Sequence, residues 1–160
     1  RAPHAPEQDG PSYCCQNDGM VGLGAGARSY TASLHYSSEY AVARLDTINI
    51  IDNYLALDEA RFAQAEHGYM LDGEEQRRRY VIQSLLTEPG LDRDAYAARF
   101  GSRCEADLPQ LAELHALELV EENGPLLRLN ERGYSYADTI GPWLASDTVR
   151  ALMAEGGQAC

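Results

Sequence analysis

The sequence predicts an α+β protein that is mostly helical, in which a glycine-rich strand segment precedes a helical domain. A strand-like run that becomes rich in glycine extends from Met20 to Ala27. Apolar residues take up a helical period from Asp46, and helix-capping signals recur from Asp72 onward. An Asn-Gly pair at residues 123–124 between two apolar runs indicates a β-hairpin. The resulting order, three helices and then a hairpin, is typical of a winged helix.

The composition is that of a globular protein and excludes several functional classes. The chain has 160 residues, of which 44% are hydrophobic and 24% charged, enough for one domain and a piece of a second. Its net charge is −12, and all 13 basic residues are arginine, so a phosphate backbone would be repelled and we expect no nucleic-acid partner. No apolar stretch approaches the roughly 20 residues of a bilayer span, so we expect no membrane partner. Four cysteines without an export signal suggest reduced thiols and a cytoplasmic location.

The composition changes along the chain and predicts four segments. Residues 1–12 are rich in proline and glycine and form an irregular lead-in. Residues 13–40 form a strand-and-loop piece, and residues 41–72 form a connecting helix and linker. Residues 73–160 form the helical, winged-helix-like domain. Within the linker helix, Ile48, Ile51 and Leu55 are expected to share one apolar face.

The first two helices of the second domain have clear start signals. Asp72 is a good N-cap, and Glu75 three residues later completes a capping-box pattern, with Val81, Leu85 and Leu86 facing inward. The next helix is expected to begin after an aspartate cap and to end at a glycine, with two aromatic residues inward. These residues are Asp92, Gly101, Tyr96 and Phe100.

The later elements follow the same logic. Ser102 is expected to cap a single third helix with an inward stripe formed by Leu108, Leu111, Leu114 and Leu117. The hairpin should turn at Asn123-Gly124. A fourth helix should begin after a cap at Asn130, kink or end at Gly141-Pro142, and be followed by a short helix beginning at Ser146.

The glycine run permits three interpretations. Gly22, Gly24 and Ala27 fit G-x-G-x-x-A, but a dinucleotide site also needs a helix that begins at the loop, and Arg28-Ser-Tyr-Thr is poor helix sequence. The glycines could instead only permit tight packing. The third interpretation, which we favour, is a loop at the end of a strand where the backbone closely approaches a ligand.

Other candidate sites are weaker. A metal site formed by Cys14, Cys15 and His35 is disfavoured because adjacent side chains on a strand point to opposite faces. DNA binding by the winged helix is disfavoured because the third helix is acidic. The basic run Arg77–Arg79 is either a solvated helix face or a docking contact with another part of a larger protein.

Several segments together resemble a known family. The run from Asp18 to Tyr30 resembles the glycine-rich motif that ends the catalytic barrel of the oxygen-independent coproporphyrinogen III oxidase family, which includes related heme chaperones. The helix from Glu75 to Leu86, the turn Gly90-Leu-Asp, and the closing Leu129-Asn-Glu-Arg-Gly are similar to segments that follow that barrel, in the same order. The family usually has threonine where Asn130 stands.

The resemblance implies a function for the intact protein. Members are radical S-adenosylmethionine (SAM) enzymes, in which a [4Fe-4S] cluster held by a C-x-x-x-C-x-x-C loop cleaves SAM to a radical that removes hydrogen from the substrate. That loop is missing from this sequence. The chain therefore resembles the C-terminal region of such an oxidoreductase, with residues 13–40 as the end of the barrel and the remainder of the barrel as its partner. We expect it to be inactive alone, with no catalytic residue or metal ligand assigned to it.

The resemblance also implies candidate cofactor-binding residues. The backbone of the small residues would line the SAM pocket, and the arginine after them could meet a carboxylate of cofactor or substrate. These residues are Gly24, Ala25, Gly26, Ala27 and Arg28. The alternative is a winged-helix interaction module that binds protein or, less readily, DNA.

Overall fold

The computed structural model describes residues 19–39, 44–65 and 67–157, and the chain divides into two compact units, Arg1–Leu71 and Asp72–Cys160. The lead-in at 1–12 and the cysteines Cys14 and Cys15 lie outside the described residues. Each unit is described below by itself.

The first unit contains a three-stranded antiparallel sheet in the order β1-β2-β3. Its strands are β1 (Arg28–Tyr30), β2 (Leu34–Ser37) and β3 (His67–Met70). Between β2 and β3 lie helix α1 (Arg44–Leu55) and a 3-10 helix (Glu59–Ala63). The amide of Leu34 donates a hydrogen bond to the hydroxyl of Thr31, and this bond closes the turn between β1 and β2.

The apolar face predicted for α1 is not buried. Ile48, Ile51 and Leu55 are 46%, 44% and 75% exposed, whereas Ile50 is buried. Periodicity identifies which residues share a helix face, but it does not show that another element covers that face.

The second unit combines helices with a small sheet in the order β4-β6-β5. Its elements begin with α2 (Gly73–Leu85), β4 (Leu91–Asp92) and α3 (Arg93–Phe100). They continue with α4 (Cys104–Asp107), α5 (Leu111–Ala116), β5 (Val120–Asn123), β6 (Leu126–Leu129), α6 (Glu131–Tyr134), α7 (Ala137–Leu144) and α8 (Asp147–Gly157). Strand β4 pairs antiparallel with β6, and β6 pairs antiparallel with β5.

The predicted caps at Asp72, Asp92 and Asn130 are confirmed. The Asp72 carboxylate accepts a hydrogen bond from the amide of Glu75 at 2.9 Å. The side-chain oxygen of Asn130 accepts one from the amide of Gly133 at 2.9 Å. Asp92 accepts from two amides at the start of α3, and Gly101 ends that helix with φ +70°. Ser146 likewise caps α8 through its hydroxyl. These bonds satisfy amides that lack a partner within the helix.

The predicted third helix is wrong in its extent. It is two short helices, α4 and α5, separated at Leu108, because Pro109 restricts the residue before it and lacks an amide proton. Ser102 does not cap it; its hydroxyl is hydrogen-bonded to Asp107 instead. The inward stripe is confirmed at Leu108, Leu111 and Leu114, which are buried. It is wrong at Leu117, which is 47% exposed.

Two further local predictions need correction. The predicted fourth helix is two helices, α6 and α7, and Pro142 does not end α7, which continues to Leu144. The hairpin is confirmed, but its register differs by one residue. Asn123 pairs with Leu126, so the turn residues are Gly124 and Pro125, and Gly124 takes the positive φ of +59°.

The core of the second unit is a continuous cluster of leucines joined by one tyrosine. It unites all the helices from α2 to α7 except α6 with strands β4 and β6. Its members include Val81, Leu85, Leu91, Tyr96, Leu108, Leu111, Leu114, Leu127, Leu129, Ile140 and Leu144. The order of elements fits an α+β fold, and the winged-helix and barrel assignments stay predictions. No helix among the described residues is long and apolar enough to cross a bilayer.

Candidate ligand site at the glycine-rich loop

The glycine-rich run forms a turn that leads into β1. The amide of Ala27 donates to the carbonyl of Gly24 at 3.1 Å, and Gly24 and Gly26 have φ values of +112° and +72°. Side chains with a Cβ rarely adopt these conformations. No helix begins at this turn, so the dinucleotide interpretation is wrong: the loop lacks the helix N-terminus on which a pyrophosphate would sit.

The turn is held by two serine hydroxyls. Ser29 is buried, and its Oγ accepts from the amide of Gly22 at 3.0 Å. A Cβ at Gly22 would stand 2.4 Å from the carbonyl oxygen of Arg28, so only glycine allows this close approach. On the other side, the Ser38 hydroxyl donates to the carbonyl of Gly24 at 3.1 Å. The backbone of the loop is therefore fixed before any ligand binds.

A cavity of about 180 Å³ lies beside this loop, inside the first unit. It is lined by Val21, Gly22, Leu23, Gly24, Ala27, Tyr36, Ser37, Ser38, Tyr54, Leu57, Arg61, Phe62, Gln64 and Ala65. Of the five residues predicted to bind a cofactor, Gly24 and Ala27 line the cavity. Ala25, Gly26 and Arg28 are not part of its wall, and Arg28 is exposed in β1.

The rest of the lining includes residues that the sequence does not identify as a site. The rings of Tyr54 and Phe62 meet edge to face, with centroids 5.3 Å apart, at the end of α1 and in the 3-10 helix. Arg61 and Tyr36 also line the cavity. Arg61 and Phe62 lie in a segment of mixed composition, residues 57 to 71, so no periodic signal could have singled them out.

The described residues contain no group of three or more side chains suited to hold a metal ion. His35 lies in β2 with its ring edge to face with Tyr30, at a centroid distance of 5.0 Å. Cys14 and Cys15, the other members of the weighed metal site, lie outside the described residues. The site next to the glycine loop is thus one of backbone groups, aromatic rings and a guanidinium.

The basic run Arg77–Arg79 makes contacts within the second unit. Arg77 Nε lies 3.3 Å from the Asp107 carboxylate. Arg78 pairs with Glu74 at 2.8 Å, as the spacing of four residues predicts, and also donates to the carbonyl of Leu144 at 2.9 Å. These contacts hold α2 against α4 and α7.

Asp107 is the centre of a small polar cluster in that unit. Hydrogen bonds from Ser102 and Tyr96, with the Arg77 guanidinium nearby, hold the pKa of Asp107 below its usual value of 3.8. The Tyr96 hydroxyl donates to it at 2.7 Å, and burial together with this carboxylate raises the pKa of Tyr96. A buried tyrosine that is satisfied by a carboxylate fixes the packing of α3 against α4.

The acidic residues near the hairpin are largely paired. Arg93 contacts Glu122 at 3.0 Å and Glu105 at 3.6 Å, and Arg128 contacts Glu121 at 2.6 Å. The hydrogen bond to Glu122 raises the pKa of Arg93. The pair of Arg93 and Glu122 ties the hairpin to α3, and the pair of Arg128 and Glu121 joins the two strands of the hairpin.

Comparison with known proteins gives two matches. Residues 71–136 match the family described as the HemN C-terminal domain. Over 102 residues the chain is 31% identical to the oxygen-independent coproporphyrinogen III oxidase of Cereibacter sphaeroides, a match that covers 56% of this chain and 22% of the relative. The matched part thus spans about a fifth of that curated relative's length. No solved structure matches the chain significantly.

Proposed function

We propose that this chain, which carries a HemN C-terminal domain, is the C-terminal region of a cytoplasmic radical SAM oxidoreductase of the coproporphyrinogen-III-oxidase-like group. In the intact protein, the glycine-rich loop would complete the SAM and substrate pocket. The helical unit would cover the opening of the barrel. The observation that carries the proposal is the family match over residues 71–136, together with the surface of the unit before it.

The exposed apolar side chains of the first unit support the proposal that it packs against a further part of the protein. Among its described large apolar residues, only Ile50 and Leu71 are buried, whereas several others are exposed. They are Val21, Leu23, Ile48, Ile51, Leu55, Phe62 and Met70. Leu23, in the glycine loop itself, is 92% exposed. So much exposed apolar surface on a small unit is typical of a face that packs against another element. We propose that this element is the remainder of the barrel.

The residues of the loop fit one wall of a cofactor pocket. A Cβ at Gly24 would meet no atom within 4 Å, so the space above its backbone is open. The cavity of about 180 Å³ is smaller than the roughly 300–1,000 Å³ of complete ligand sites. This size supports a shared pocket, in which Gly24 and Ala27 provide backbone and Tyr36 and Tyr54 provide aromatic surface. Arg28 would contact a carboxylate of cofactor or substrate from outside this wall.

The cysteines do not fit the iron–sulfur cluster. The sequence contains no C-x-x-x-C-x-x-C run, and Cys104 is buried in the second unit. The cluster ligands of the intact protein would therefore lie in another part of it. When bound, SAM supplies radical chemistry, and this chain supplies position, shape and the exclusion of water.

The proposal is tested on the full-length protein. We expect anaerobic reconstitution of the polypeptide, extended upstream through its barrel, to yield an iron–sulfur cluster and reductive cleavage of SAM to 5′-deoxyadenosine. The present 160-residue chain, treated identically, is the control and should show neither. A full-length protein without cluster and without cleavage would reject the oxidoreductase function.

The role of the loop is tested separately by matched glycine substitutions. Gly24→Ala adds a methyl group to the open space of the proposed pocket, and Gly101→Ala adds one at a positive φ with equally open surroundings in the second unit. We expect Gly24→Ala to weaken SAM binding by about tenfold or more in titration calorimetry, and Gly101→Ala to leave it unchanged. Gly26→Val perturbs the backbone of the same loop at φ +72°, at a position outside the cavity wall. Unchanged affinity in both loop variants would exclude the loop from the pocket.

A second candidate function is a winged-helix module that binds protein or DNA. The order of helices followed by a hairpin, with β4 added to β6, favours it. DNA is the less favoured partner of such a module. Glu105, Glu121 and Glu122 bring carboxylates to the helix and the hairpin that would meet a phosphate backbone. Salt-dependent retention of the chain on immobilised duplex DNA would favour this alternative, and flow-through at low salt would exclude DNA.

A further inference from the structure

The second unit contains a cavity that is separate from the glycine loop. Its volume is about 310 Å³, and it lies between the end of α5 and helix α7. It is lined by Glu113, Leu114, Leu117, Leu119, Arg132, Tyr136, Thr139, Ile140 and Trp143. None of these residues takes part in the polar cluster of Asp107 or in the ion pairs of the hairpin.

The lining is mostly apolar and combines buried with exposed side chains. Leu114 and Ile140 are buried, whereas Leu117 and Tyr136 are among the exposed large residues of the unit. A cavity of this size that is lined by aliphatic and aromatic side chains is typical of a binding site for the apolar part of a small molecule. The indole of Trp143 adds the largest aromatic surface in the wall.

Arg132 gives the cavity a charge. In this acidic chain most described arginines contact a carboxylate or an aromatic ring, as Arg78, Arg93 and Arg128 contact carboxylates. For the Arg132 side chain, the described residues show no hydrogen bond, ion pair or ring contact. Its guanidinium is therefore available to an anion from outside the chain, and a guanidinium matches the geometry of a carboxylate.

Glu113 defines on which side an anion would bind. It also lines the cavity, and within the described part of the chain it forms no ion pair with Arg132. Its negative charge repels a second carboxylate, so a ligand's carboxylate would lie on the Arg132 side.

We infer that this cavity binds a small amphipathic carboxylate, with its apolar body against Leu114, Ile140 and Trp143 and its carboxylate at Arg132. The inference does not depend on the proposed function, because it concerns the second unit alone.

Trp143 provides the measurement, since it is the only tryptophan of the chain. Octanoate and 1-octanol serve as probes that share an apolar body and differ in charge. We expect octanoate to change the Trp143 fluorescence saturably and to bind about tenfold more tightly than 1-octanol, which is the effect of one charge-assisted hydrogen bond.

Two variants separate the role of Arg132 from general apolar binding. Arg132→Gln should reduce octanoate affinity about tenfold, to that of 1-octanol. The control Arg103→Gln removes an arginine that is 80% exposed and lies outside the cavity, and it should leave both affinities unchanged. Circular dichroism confirms that both variants are folded. Equal binding of the two probes, the absence of saturable binding, or an Arg132→Gln variant that still prefers octanoate would overturn the inference.

Discussion

Gly133 lies directly against the carbonyl of Leu119. A Cβ at Gly133 would stand 2.1 Å from that oxygen and 3.2 Å from the Cβ of Leu129. The same oxygen accepts the amide of Asn130 at 3.1 Å, at the cap of α6. One backbone carbonyl thus joins the start of the hairpin to the helix that follows it, and only a residue without a side chain fits there.

This contact predicts that Gly133→Ala strongly destabilises the second unit. The methyl group would overlap backbone that cannot move without breaking the Asn130 hydrogen bond, so we expect a loss of about 3 kcal/mol or more in the free energy of unfolding. Urea denaturation followed by circular dichroism measures it. The control is Gly124→Ala, at φ +59° with open space around the Cβ, which should cost only about 1–2 kcal/mol of backbone strain. Equal losses in the two variants would contradict the close contact.

The polar cluster predicts a pH dependence that Asp107 controls. Its pKa in the folded state lies below its usual value of 3.8, so its contribution to stability is present above that value and is lost as the pH falls through the lower folded pKa. We expect Asp107→Asn to be less stable than the wild type at neutral pH, and the difference to shrink below about pH 4. Thermal unfolding between neutral and acidic pH measures this. If the wild type and the variant lost stability in parallel as the pH falls, the Asp107 carboxylate would not be the source of the pH dependence.

A companion substitution tests the tyrosine of the same cluster. Tyr96→Phe keeps the buried ring and removes the hydroxyl that donates to Asp107 at 2.7 Å. We expect a loss of about 1–3 kcal/mol at neutral pH, typical of a buried hydrogen bond to a charged group. In the Asp107→Asn background the same change should cost less, since the two residues share one interaction. Additive losses in the double variant would show that they act independently.

Cys104 should be an unreactive thiol in the folded chain. Burial raises its pKa to about 11, and the neighbouring Glu105 adds to the shift, so the thiolate fraction near pH 8 is about a hundredfold below that of an ordinary cysteine. We expect iodoacetamide to label Cys104 at least a hundred times more slowly in the native chain than in urea. Peptide mapping by mass spectrometry reports this residue separately from the others. Comparable rates in the two conditions would mean that the core around Cys104 opens readily.

The exposed and buried faces of α1 predict opposite responses to substitution. Ile51→Asp should leave the secondary structure intact and reduce the binding of a hydrophobic dye, because it removes exposed apolar surface. Ile50→Ala should destabilise the first unit by about 2–5 kcal/mol, because this side chain is buried. Circular dichroism and dye fluorescence on both variants measure the contrast. A loss of structure in Ile51→Asp would show that this face is covered within the chain.

Local signals in the sequence predicted local structure well. The caps at Asp72, Asp92 and Asn130 depend on a side chain and an amide two or three residues later, so the sequence contains the whole interaction. The extent of the third helix was harder to predict. Serine is a residue type that often caps helices, but the Ser102 hydroxyl bonds to Asp107 instead. Pro109 interrupts the helix that the spacing of the leucines predicted.

The candidate site was predictable only in part, for a physical reason. Gly24 and Ala27 were named from the resemblance of the glycine-rich run to the family's motif, and both line the cavity, whereas their role in binding a cofactor stays a prediction. Tyr54, Arg61 and Phe62 were not identified as a site, because they meet the loop only through the path of the chain after β2. The same limit applies to the exposed face of α1, since periodicity gives a face and tertiary structure decides what covers it.

The strand order β4-β6-β5 leaves β5 at the edge of its sheet. An edge strand presents unpaired backbone groups to which a strand from another molecule could add. Strand β5 carries Glu121 and Glu122 in its middle, so two such edges brought together would place like charges side by side. The acidic hairpin should therefore keep neighbouring copies from pairing edge to edge at high protein concentration.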